Sequence, residues 1–162
     1  MSTNGQITFI AGGTAKRSYC HWDSYPSGLG TTVLGWLRNI TGTGEEQKAV
    51  VAASRLVTVT DGNGCAPPSP EQRQALALYQ DNNVGGPDEE WYRLLRRAQG
   101  DPAAILTAGY AYDQLYGLAD AEDEYYNYTV DTDKRVFSAL GHTWGWDDLP
   151  SDEEFLATLG EG

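Results

Sequence analysis

The residues that favour strands are gathered near the two ends of this chain, and that placement limits what it can fold into. Ile7-Thr8-Phe9-Ile10 has strand composition, Gly12-Gly13 is a turn signal, and Arg17 to Trp22 reads as the returning strand. Near the other end, Glu124-Tyr125-Tyr126-Asn127-Tyr128-Thr129-Val130 is an aromatic strand, Asp131-Thr132-Asp133 turns, and Lys134 to Leu140 returns. An isolated hairpin is marginal in water. The two hairpins are therefore expected to join in one antiparallel sheet.

The residues between them read mainly as helices. Pro26 and Ser27 open a helix whose apolar positions Leu29, Val33, Trp36, Leu37 and Ile40 follow helical spacing. Glu45 to Ser54 has helix composition, Leu56 to Thr60 strand composition, and Asp61-Gly62-Asn63-Gly64 is a turn. Ser69 as N-cap and Pro70 in the first turn predict a helix to about Tyr79. Pro87-Asp88-Glu89-Glu90 starts another, with Arg93, Arg96 and Arg97 in its last turns, where cations are favoured. Asp101-Pro102 starts a third, running towards Leu115, and Ser151 to Glu154 cap a C-terminal helix through Leu159. The expectation is an α+β fold over a single domain, residues 1–162: a single antiparallel sheet built from N- and C-terminal hairpins, with the helical middle packed on one face.

Charge is distributed unevenly. The net charge of the 162-residue chain is −12, and residues 111–162 hold thirteen acids against only Lys134 and Arg135. Such a surface repels nucleic acid and anionic lipid, so direct nucleic-acid binding and a membrane role are not expected. It suits a basic protein partner instead. The interface would use Asp120, Glu122, Asp123 and Glu124 with Tyr112, Tyr116 and Tyr126 beside them, because interfaces favour tyrosine. The start of the sequence has no basic region before a long apolar core, and the chain has only Cys20 and Cys65, so a cytoplasmic protein with reduced thiols is expected.

The densest chemistry lies in Cys20-His21-Trp22-Asp23-Ser24-Tyr25-Pro26-Ser27-Gly28-Leu29-Gly30, at a strand-to-helix junction. One reading is a packing junction anchored by Trp22 and Tyr25, with Asp23 or Ser24 capping the helix. A second is an anion site, with Gly28 and Gly30 in the first helical turn, where backbone N–H groups lack partners, Thr31 beside them, and Lys16 and Arg17 adding charge from the preceding strand. His21, Asp23, Tyr25 and the distant Trp144 would complete that ligand site. A third is catalysis by His21 and Asp23, as a nucleophile scheme with Cys20 or as an iron triad with His142. Two histidines are a thin supply for an enzyme, and no metal or cofactor is expected. The turn at Asp61 fails as a calcium loop, since Ala66 and Gln72 stand where glycine and glutamate are needed.

The run H-W-D-x-Y-P-x-G-x-G after a short hairpin resembles one found in a group of small proteins of actinobacteria and their phages, and the aromatic strand Tyr125 to Asp131 is similar too. The resemblance implies a setting rather than a chemistry: a viral, phage-type accessory protein of host–virus interaction, including the anti-defence kind. The function expected is binding of a host protein or sequestration of a small anionic or nucleotide ligand. The alternatives are a small hydrolase or transferase using His21 and Asp23, and an acidic DNA-mimic inhibitor. The oligomeric state is left open.

Overall fold

A computed structural model describes residues 3–116 and 126–160 of the chain. The fold is α+β. Strands β1 (Gly5–Ala11) and β2 (Thr14–Cys20) form the first hairpin, pairing antiparallel from Gly5↔Cys20 to Ala11↔Thr14. Gly12 and Gly13 make its turn, both with positive φ, the conformation that glycine adopts without a Cβ penalty. The far end supplies three strands: β5 (Tyr126–Asp131), β6 (Val136–Ala139) and β7 (His142–Gly145). The two groups share one five-stranded sheet in the order β2-β1-β5-β6-β7. Residues 124 and 125 of the expected second hairpin lie outside the described residues.

The sheet departs from expectation at its centre. β1 and β5 are parallel, with Gly5 opposite Tyr126. A parallel pair needs a crossover connection, and the helical middle of the chain supplies it. β1 is consequently buried on both sides over Gly5 to Phe9. The seam carries a second latch, since both carboxylate oxygens of Asp133 accept N–H bonds from Gly12 and Gly13, at 2.9 and 2.8 Å.

A second, two-stranded sheet pairs β3 (Val57–Val59) with β4 (Tyr110–Tyr112) in parallel. The third helix of the middle, expected to run towards Leu115, ends at Ala108 because Gly109 adopts the left-handed conformation at φ 83°. The chain then turns directly into β4.

The helices are α1 (Thr31–Ile40), α2 (Gly44–Arg55), α3 (Pro70–Ala75), α4 (Glu90–Leu94), α5 (Pro102–Ala108) and α6 (Asp152–Thr158). A π-helical turn over Pro26–Gly30 precedes α1. Ser69 caps α3 in a reciprocal capping box with Gln72. The main core lies where Ile7, Phe9, Tyr128, Val130 and Phe137 of the large sheet meet Val33, Leu34 and Leu37 of α1 and Phe155 of α6. A smaller cluster joins Tyr19 of β2 to Val59, Leu76, Trp91, Tyr92, Leu94, Leu95 and Tyr112. Among the described residues, no helix is long and apolar enough to cross a membrane.

Candidate functional site: a cleft around His21 and Arg96

β2 ends at Cys20, and alternation along a strand puts Tyr19 and His21 on the same side. That side faces the smaller cluster. The Tyr19 hydroxyl and His21 Nδ1 are 2.8 Å apart, and the His21 backbone N–H donates to Gln99 Oε1 at 3.1 Å. The opposite wall comes from the turn before α4 and from the residues after it. Asp61 accepts the backbone N–H bonds of Trp91 and Tyr92 at 2.7 and 3.1 Å, which fixes the first turn of α4 and with it the Tyr92 ring. Arg93 donates to the carbonyls of Val84 and Gly86 and so ties down the preceding turn.

Between these walls lies a cavity of about 370 Å³, lined by Tyr19, His21, Trp22, Tyr92, Glu89 and Arg96, with Val84, Gly85 and Gln114 at its margins. His21 packs edge-on against Trp22 at 4.7 Å and Tyr92 at 6.4 Å. The Arg96 guanidinium lies 6.0 Å from the Trp22 ring centre, a cation–π distance. Trp22 is 51% exposed, unusual for the largest apolar side chain. Burial lowers the pKa of His21 below 6.5, the Arg96 charge lowers it further, and Glu89 opposes both. At neutral pH the imidazole is therefore uncharged and Arg96 is the cation of the cleft. Neutral imidazole, guanidinium and three aromatic rings can hold a planar ring and an anion together.

Of the residues singled out in the sequence as ligand-binding, only His21 lines this cleft. The glycines of the motif serve close packing. A Cβ on Gly28 would sit 2.1 Å from the Asp23 carbonyl oxygen, and one on Gly30 would sit 2.9 Å from the Tyr128 ring. The expected anion cradle is also filled from within, because the N–H groups of Gly28 and Leu29 donate to the carbonyls of Tyr25 and Asp23. Thr31 returns its hydroxyl proton to Ser27 and Gly28 carbonyls. Lys16 caps the carbonyls of Ala53 and Ser54 at the end of α2, and Arg17 pairs with Asp113 at 3.1 Å.

The catalytic and packing readings of the motif also change. The Asp23 carboxylate accepts from the Tyr25 hydroxyl, and Asp23 holds φ at 50°. Trp22 and Tyr25 are exposed rather than anchoring the helix; the buried anchor is Ser24, fully covered, whose carbonyl accepts the Tyr128 hydroxyl at 2.7 Å. Cys20 is buried with its thiol on the Trp22 carbonyl. His142 and Trp144 stack on each other in β7, four strands from β2, or roughly 19 Å at the usual strand spacing. That distance breaks the iron triad and removes Trp144 from the ligand site. No group of metal-ligating residues occurs among the described residues.

For the acidic interface, Tyr112 is 6% exposed, and burial, aided by the Asp61 charge, pushes its hydroxyl pKa up, so it belongs to the core. Tyr116 and Tyr126 are half-buried. Asp120, Glu122, Asp123 and Glu124 lie outside the described residues.

Sequence reasoning weighed Arg96 only as one of three arginines at a helix end, and it left out Tyr19, Glu89 and Tyr92. The sequence offered only the adjacency of His21 and Trp22, and nothing in it linked that pair to residues about seventy positions away. Compared with protein-family models, with curated proteins and with solved structures, the chain has no match.

Proposed function

We propose that this is a binding protein whose His21–Arg96 cleft sequesters a small anionic ligand carrying an aromatic ring, of the nucleotide class. The observation that carries the reading is the juxtaposition of Arg96 with Trp22 at the mouth of a cavity of about 370 Å³. That volume falls in the range of small-ligand pockets. A base would stack against Trp22 or Tyr92, and the anionic group would pair with Arg96. The neutral His21 offers a hydrogen bond without adding charge. In a phage-type setting such sequestration removes a signal from the host.

Calorimetric titration with nucleoside monophosphates, uncharged nucleosides and inorganic phosphate tests this. Nucleoside monophosphates are expected to bind, and Arg96→Ala to weaken them at least tenfold, about 1.4 kcal/mol. If they do not bind, or if the variant binds them equally well, the cleft is not an anion site.

A further inference from the structure

A second surface, unrelated to the His21 cleft, carries its own ligand chemistry. Two cavities of about 270 and 500 Å³ run along the seam between α2 and α5 and share Lys48, Ala52 and Leu106. Together they form one open groove extending from Trp36 to Gly109. Its floor is apolar, with Ala49, Val51, Ala52 and Leu106 all partly uncovered. Val57, close by in sequence after α2, is 49% exposed. Contiguous apolar surface of this kind marks an interaction site.

The charges around the groove say what covers it. The wider end is lined by Lys48 and Arg55 and by no acid. Lys48 pairs with the exposed Glu45, which lines the narrower end, at 3.1 Å, and among the described residues Arg55 forms no ion pair. Lys48 and Arg55 are seven residues apart on α2, two turns or about 10 Å. Carboxylates two turns apart on a second helix match that spacing. A helix laid in the groove would place apolar residues at i, i+3, i+4 and i+7 on the floor.

We propose that the α2–α5 groove docks a short acidic amphipathic helix of a partner protein. A labelled peptide of about 15 residues, with leucines at that spacing and glutamates flanking them, is the probe. It is titrated into the full chain by fluorescence anisotropy beside the same peptide with lysines in place of glutamates. The glutamate peptide is expected to bind at least tenfold more tightly than the lysine peptide. The double variant Lys48→Glu, Arg55→Glu, both positions exposed, is expected to reverse the order while its circular dichroism stays unchanged. Equal binding of the two peptides, no binding of the glutamate peptide at about 1 mM, or unchanged preference in the double variant overturns the proposal. Self-association of the chain that the double variant abolishes also overturns it, because the occupant is then a second copy.

Discussion

The two hydrophobic clusters of this protein are built by different means. In the main core, long strands and α1 present aliphatic and phenyl groups at regular spacing, and Ile7, Phe9, Val33, Leu34, Leu37 and Phe137 are wholly buried. In the smaller cluster, three-residue strands and short helices present tyrosines and a tryptophan whose polar tips need partners: the Trp91 indole donates to the Ala66 carbonyl at 2.8 Å, and the Tyr19 hydroxyl meets His21. Buried tyrosine and tryptophan have to bring their polar tips to hydrogen-bond partners, which aliphatic side chains do not. The smaller cluster is where the His21 cleft opens. The cleft is bounded by side chains from several short elements, whereas the groove beside α2 lies along one long helix.

The sharpest way to break this contrast is a truncation in each cluster. Phe137→Ala empties the centre of the main core, where the ring contacts Trp144 and Phe155. It is expected to cost about 3–5 kcal/mol in urea unfolding, with the protein unfolding in a single transition. A loss of less than about 1 kcal/mol would mean that this core is no better packed than the other.

Asp61→Ala acts on the smaller cluster. It removes the acceptor for the Trp91 and Tyr92 N–H groups. A loss of about 0.5–2 kcal/mol is expected, the range for a helix cap. Nucleotide binding should weaken as well, since Tyr92 loses its anchor. Unchanged affinity in a destabilised variant would detach the cleft from the cluster beneath it.

The smallest effect concerns pH. Burial and then Arg96 hold the His21 pKa below 6.5 in the folded protein, so near pH 6 the unfolded chain binds more protons than the folded one. The neutral imidazole carries no penalty above pH 6.5, and stability falls as pH drops from 6.5 through the lower folded pKa. In His21→Gln this segment of the pH–stability curve should flatten. A curve that keeps its slope there would assign the loss to other groups.

The strands and caps were legible because their signals are local. Alternation and turn residues placed β1, β2 and β5, and Ser69 announced the start of α3. β4 was not legible: Tyr110-Ala111-Tyr112 is too short for alternation to register, and it forms a strand only because Gly109 stops α5 and β3 lies beside it. The His-Trp-Asp-x-Tyr-Pro-x-Gly-x-Gly run was visible as a dense motif, but its glycines turned out to answer to Tyr128 and the Asp23 carbonyl rather than to a ligand.

By itself, the sequence determined the class of the fold, two end segments meeting in one sheet around a helical middle, because period, turn chemistry and capping are read within a few residues. Only the tertiary structure decided that β1 and β5 run parallel, because strand direction depends on where a crossover of more than a hundred residues returns. It alone assembled the cleft, since residues 19–22, 84–92, 96 and 114 converge only through the packing of short elements that carry no periodic signal.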